Sequence, residues 1–305
     1  MLSDDLARHV ALHHALGFRF RTQRLLLRNF VAFAERRGDR FISAARVLAW
    51  AVEAPSPEQR RNRLLNVRRF AIAMHAEDPR HEVPAADALG RGLFRRKLPY
   101  IYSAGEIQRL MAAAASLPPA GTIRPLTYAM LFGLLAATGM RISEALALRL
   151  GDVTEDGLIV VKTKFKKSRL IPLHPTTRKA LNDYLSSRLR LATCSDALLI
   201  ANTGAPPSYE TAASLFRQLS RQIGLRGDPG QPEPRIHDLR HSFAVRSLEG
   251  CPCDRDSVSR HILALSTYLG HAHVTDTYWY LQATPTLMAQ IAEAGEALLQ
   301  REGVA

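Results

Sequence analysis

The sequence predicts a mainly α-helical protein in two parts, the second part carrying a small antiparallel sheet. Three observations lead there. Apolar residues recur at helical spacing through most of the chain, with Ser, Pro and Gly placed where helices would start and stop. Residues 157–163 (GLIVVKT) and 169–173 (RLIPL) are short runs rich in β-branched side chains, separated by a brief basic loop, as a hairpin would be. Residues 89–99 (LGRGLFRRKLP) interrupt the pattern with two glycines and a proline. That linker divides the chain into an all-α domain over 1–98 and an α+β domain over 99–305.

The first domain reads as helices in succession. Ser3 is placed to cap a helix running toward Gly17. Residues 21–38 (RTQRLLLRNFVAFAERRG) mix apolar and basic positions at helical spacing and stop at Gly38. Ser43 caps a third helix, which Pro55 and Pro57 break, and Pro57 begins a fourth. The fourth helix carries Arg60, Arg61, Arg63, Arg68 and Arg69 with no matching acidic set. An arginine-rich solvated face is the bland reading. Phosphate contact in a DNA groove is the sharper one and the one favoured here. Arg95, Arg96 and Lys97 in the linker extend the same basic surface.

The second domain opens on Ser103 with Glu106 three residues on, a capping box before an alanine-rich helix. A buried helix, TYAMLFGLLAATG, ends at Gly139, and the next helix is expected to carry Arg141, Ser143 and Glu144. Lys164, Lys166 and Lys167 occupy the hairpin loop. Helices resume at 176–192 and 208–224, a Pro/Gly loop covers 226–235, and an amphipathic helix closes the chain near 286–300.

Composition limits the function classes. The 305 residues are 47% hydrophobic, enough for real cores. The net charge is +13, which points to a polyanionic partner. It is unevenly placed, 19 Lys and Arg against 10 Asp and Glu in 1–98, and 22 against 18 in 99–305. A genome that favours arginine would raise the charge without function, so the charge alone decides nothing. Three cysteines cannot build a disulfide framework. Neither a secretory leader nor a membrane span is expected, which places the chain in the cytoplasm. Cys251, Cys253 and His261 lack a convincing fourth ligand, and no acidic cluster suits two-metal chemistry, so neither metal nor cofactor is expected.

The chemistry concentrates between His237 and Tyr280. His237 and Arg240 are three apart, so on a helix they share a face. An imidazole beside a guanidinium makes sense if both point at an anion, because the guanidinium fork matches phosphate geometry and stays charged. His271 follows in an LGH triplet, and three tyrosines, Tyr268, Tyr278 and Tyr280, stand nearby. A phenolate attacking a phosphodiester builds charge on the non-bridging oxygens, which preorganised cations relieve. A free phenol titrates near pH 10, so such a tyrosine needs help in losing its proton.

Four motifs in order, TGMRISE, TKFKKSRLIPL, HDLRH and LGH with a tyrosine nine residues on, resemble those of the tyrosine recombinases, the lambda-integrase family. The wording ALSTYLGH…TDTYWYL is similar to integrases of transposons and other mobile elements. The resemblance implies a helical, SAM-like core-binding domain followed by a catalytic domain. It assigns Arg141 and Arg240 to the scissile phosphate, Lys164 to protonating the leaving 5′-oxygen, His237 to the phenol proton, His271 to a phosphate hydrogen bond and Tyr280 to nucleophilic attack, with Glu144 orienting its neighbours. The family loop carries glycine where Phe165 and Lys166 stand, and the interval from Arg240 to His271 is longer than usual, which bears on Lys164 and on the local geometry.

The function implied is site-specific recombination through a 3′-phosphotyrosyl bond and a Holliday junction, without ATP. Its partners would be double-stranded DNA with paired sites, three further copies of the chain in a homotetramer docked through the terminal helix, and possible helper recombinases. Two rivals share parts of the pattern. One is a decayed recombinase that binds DNA without chemistry, and the other is a tyrosine-type topoisomerase.

Overall fold

The computed structural model describes residues 1–90, 99–161, 168–191, 193–225, 233–250, 255–282, 289 and 293. The chain falls into two compact units, Met1–Arg96 and Lys97–Ala305.

The first unit holds α1 (Leu2–Ala15), α2 (Arg21–Glu35), α3 (Ala44–Val52) and α4 (Pro57–Glu77). α1 starts at Leu2, one residue before the expected Ser3 cap; the Asp4 N–H donates to the Met1 carbonyl at 3.0 Å, and the Ser3 N–H goes to Glu35 Oε1 at 2.8 Å. The other caps are local. Ser43 Oγ accepts from the Arg46 N–H and Ser56 Oγ from the Gln59 N–H, each at 3.2 Å, and Pro57 takes the first helical position. Leu27, Phe30, Trp50, Leu64, Val67 and Phe70 meet in a buried core, the common reason that the four helices persist together.

The second unit runs α5 (Ala104–Ala115), α6 (Ile123–Thr138), α7 (Ile142–Ala145), β1 (Leu158–Val160), β2 (Arg169–Ile171), α8 (Pro175–Arg188), α9 (Tyr209–Gln222), α10 (Asp238–Glu249), α11 (Arg255–Leu269) and α12 (Thr275–Tyr278). A 3₁₀ turn, Trp279–Gln282, follows α12. The Ser103–Glu106 capping box forms as expected, with Glu106 N–H to Ser103 Oγ at 3.2 Å and Ser103 N–H to Glu106 Oε2 at 2.7 Å. α6 is apolar on nearly every face because α5, α8 and α10 all pack on it. β1 and β2 pair antiparallel with Leu158 opposite Ile171. α10, α11 and the 3₁₀ turn share a smaller core of Ala244, Val245, Leu248, Ile262, Leu265, Leu269 and Tyr280.

Two catalytic candidates sit just outside the helices expected to carry them. Arg141 is extended, φ −72° and ψ 144°, immediately before α7. His237 is the residue before α10. Both positions suit side chains that must leave a helix end rather than lie along its flank. Arg95, Arg96, Lys97, the loop with Lys164, Lys166 and Lys167, Cys251, Cys253 and most of the expected 286–300 helix lie outside the described residues.

Candidate active site

Arg240 is the anchor. It is 2% exposed, with Nη1 donating to the Gly139 carbonyl and Nη2 to the Leu269 carbonyl, both at 2.7 Å. Gly139 closes α6 at φ +60°, where a Cβ would stand 2.4 Å from the Phe243 ring, so only glycine allows this approach. Burial, then the charge of Arg141, pulls the Arg240 guanidinium down to about 10, still cationic at neutral pH.

Arg141 lies beside it. Its Nη2 donates to the Gly270 carbonyl at 3.0 Å, the carbonyl next to the one Arg240 holds, so consecutive peptide units bring the two guanidiniums together. Its Nη1 and its backbone N–H reach Glu144 at 2.8 and 2.9 Å. Glu144 also receives a fork from Arg169, at 3.1 and 2.7 Å. Burial works to raise the Glu144 carboxyl, but the Arg169 and Arg141 hydrogen bonds and charges outweigh it and hold it at about 2. One carboxylate therefore joins the 141–144 segment to the start of β2. Arg169 also packs on Gly270, where a Cβ would meet its Nη1 at 2.9 Å.

The nucleophile candidate sits on the 3₁₀ turn. Tyr280 is 3% exposed, whereas Tyr278 is 49% exposed. The Tyr280 hydroxyl lies 3.2 Å from His241 Nδ1, and its ring is nearly parallel to that of His271, centroids 6.1 Å apart. His271 Nδ1 is 2.8 Å from Thr277 Oγ1, a bond that fixes the imidazole by way of α12. His237 stands edge-on to His241, centroids 4.8 Å apart.

Each of these imidazoles is harder to protonate than an ordinary histidine. Burial, followed by the Arg240 and Arg141 charges, pushes His271 down to about 4. Burial, followed by His237 and Arg235, pushes His241 to about 3. His237 keeps an exposed edge, yet desolvation by its neighbours and the charge of Arg240 still lower it. At neutral pH the three rings are uncharged hydrogen-bonding groups, and the positive charge of the cluster comes from Arg141, Arg169 and Arg240.

The structure thus brings together Arg141, Glu144, His237, Arg240, His271 and Tyr280, while Lys164 lies outside the described residues. Two members escaped the sequence. His241 follows Arg240 directly and is four residues from His237 on one helical face, a signal that was available. Arg169 is a charged residue at the start of a strand, and its partner Glu144 is 25 positions away, so no local spacing marks it.

Three of the α4 arginines singled out for DNA contact hold backbone carbonyls of their own unit. Arg60 Nε donates to the Ala54 carbonyl at 2.7 Å, Arg61 Nη1 to the Gly90 carbonyl at 2.8 Å and Arg63 Nη1 to the Trp50 carbonyl at 3.0 Å. These three stabilise their own unit. Arg69 is exposed, and the buried Nε of Arg68 has no partner. His261 Nε2 is 3.0 Å from Ser247 Oγ. Among the described residues no three His, Cys, Asp or Glu side chains gather as a metal site, and no helix is long and apolar enough to cross a membrane.

The helical fold, the short hairpin and this cluster define a tyrosine recombinase catalytic domain. The chain belongs to the phage integrase family, whose model matches residues 102–286. It is 40% identical over 295 residues to a putative integrase/recombinase, y4rB, of Sinorhizobium fredii, covering 92% of this chain and 93% of that one. It is 29% identical to the tyrosine recombinase XerD of Caulobacter vibrioides, over 80% of this chain and 76% of that protein. Its fold is similar to the integrase of the Tn1549 transposon in complex with transposon right end DNA, with a TM-score of 0.66, 15% identity and 99% of both chains covered.

Proposed function

We propose that this chain breaks and rejoins DNA at specific paired sites with Tyr280 as nucleophile. The observation that carries the reading is the convergence of two guanidiniums, held on adjacent carbonyls, with a tyrosine hydroxyl among neutral imidazoles. Arg141 and Arg240 have donors fixed in place before substrate arrives, which is the condition for strong transition-state stabilisation. The Tyr280 oxygen bonds to phosphorus as the bond to the 5′-oxygen breaks. The phenol proton leaves toward the His237 side of the cluster, and Lys164 protonates the departing oxygen. His271 hydrogen-bonds the phosphate. Attack by a partner 5′-hydroxyl reverses the step, so the energy stays in the protein–DNA ester and no ATP is needed.

Strand exchange between two duplexes calls for four copies of the chain around a Holliday junction, with residues 286–300 as the docking element. Unit 1 supplies phosphate contacts, through Arg69 and Arg68 on α4 and through Arg95, Arg96 and Lys97. The chain has a mobile-element role, as for the transposon integrase that shares this fold, and a place in the cytoplasm.

The test is a nicked suicide substrate carrying the chain's own recombination site, read on a denaturing gel with peptide mapping. Wild type and Tyr278→Phe form the covalent adduct, and Tyr280→Phe binds the site without forming it. An adduct mapped to Tyr278 or Tyr268 overturns the assignment. The absence of any adduct on a verified site favours a DNA-binding protein without chemistry.

A further inference from the structure

A partner of the candidate nucleophile's hydroxyl is His241, a residue for which the catalytic scheme above has no role. Its Nδ1 stands 3.2 Å from Tyr280 Oη, within hydrogen-bond reach. The two rings sit with centroids 5.4 Å apart, and the Trp279 ring meets His241 from the same turn at 5.1 Å. On the other side His237 stands edge-on to it. His241 is therefore wedged between the start of α10 and the 3₁₀ turn, half-buried, with its Nδ1 facing the phenol.

We propose that His241 is a positioning residue for the nucleophile: its neutral imidazole accepts the Tyr280 hydroxyl hydrogen bond at Nδ1 and aims the phenol oxygen at the phosphate site. The inference rests on Tyr280 being the nucleophile. The physical case has three parts. A short 3₁₀ turn holds its side chains less firmly than an α-helix, because runs of this helix are brief and their hydrogen bonds poorer. A buried phenol without a partner would carry a desolvation cost and find another rotamer. A ring that must accept has to be unprotonated, and burial, together with the neighbouring His237 and the cations Arg235 and Arg240, opposes a positive charge on it. The hydrogen of the hydroxyl then points toward α10, and the oxygen lone pairs are turned away from it. Precise aim is worth much in such a step, since a misplacement of about 1 Å costs on the order of a hundredfold.

Two substitutions of the full chain separate this role from packing. His241→Phe keeps the ring and removes the acceptor. His241→Asn is smaller, but its amide oxygen falls where Nδ1 stood. Single-turnover cleavage of the suicide substrate is measured at saturating protein, beside DNA affinity and the melting temperature. Expected is a loss of about tenfold or more in the cleavage rate for His241→Phe, with DNA affinity kept, and substantial recovery for His241→Asn. The idea is overturned if His241→Phe cleaves at the wild-type rate. It is equally overturned if His241→Asn is as slow as His241→Phe while both remain folded, since the ring rather than the acceptor would then matter. An adduct that maps away from Tyr280 in wild type defeats the nucleophile assignment instead, so the two failures are distinguishable.

Discussion

The arginines of α4 and the arginines of the active site are the same side chain used under opposite conditions. On α4, Arg60, Arg61 and Arg63 reach carbonyls of their own unit from half-exposed positions, and Arg63 also lies over the Trp50 ring, 4.7 Å from its centroid. In the second unit, Arg240 is sealed from water and Arg141 and Arg169 share one buried carboxylate. A guanidinium in water is mobile and screened, and each contact it makes is worth little. One held by backbone carbonyls in a dry site is already aimed, and its field is undiminished. Local density of arginine therefore says little about where phosphate chemistry takes place, whereas the burial of each arginine and of what it holds says a great deal.

The comparison is broken most severely at Arg240. Arg240→Ala should lower single-turnover cleavage by about a hundred- to a thousandfold and also lower the melting temperature, because two buried carbonyls lose their donor. Arg240→Lys should rescue little, since one ammonium cannot hold both carbonyls and face the phosphate. Full activity in either variant would show that the buried guanidinium is only structural.

Next in size is Glu144. Its carboxyl titrates near 2 in the folded chain against an ordinary 4.5. The folded value is the lower one, so the stabilisation is complete above about pH 5 and drains away as the pH falls toward 2. Its size is about 3 kcal/mol. Glu144→Gln should remove it, so the melting temperatures of wild type and variant should differ at pH 7, draw closer below about pH 5 and converge only near pH 2 and below. Parallel curves across that range would refute the pairing.

A smaller effect is expected on α4. Arg63→Ala should cost the first unit about 1 kcal/mol through the lost carbonyl bond and the lost contact with Trp50, measured by urea unfolding, with the cleavage rate at saturating protein unchanged. Smallest of all, Arg69→Ala should leave stability and saturated cleavage alone and reduce the slope of log affinity against log salt by about one. A drop in cleavage at saturation for Arg69→Ala would erase the distinction between the two sets.

How far the sequence could be read follows the range of each interaction. The Ser43 and Ser103 caps and the Gly139 stop were visible because a cap and its partner lie within four residues. The arginine, His-x-x-Arg and LGH motifs were visible because each is local, and together they located six members of the cluster. Where a side chain ends was not visible. Arg141 and His237 flank helices instead of riding on them, which no periodicity distinguishes. Arg169 needed the pairing of β2 near Glu144; the spacing of His241 from His237 was local and legible, but its contact with Tyr280 needed the 3₁₀ turn that brings that residue back onto α10. The α4 arginines looked uncompensated because the sequence shows acidic partners and hides carbonyl ones.

Arg240 has a consequence for the order in which the molecule is made. Its two carbonyl partners lie 101 and 29 positions away in the chain. Contacts of such separation form only after long loops have closed, which places them late in folding. A half-folded chain therefore offers scattered, solvated arginines that can rest on DNA but have no fixed aim. The capacity to cut should appear only together with these long-range contacts.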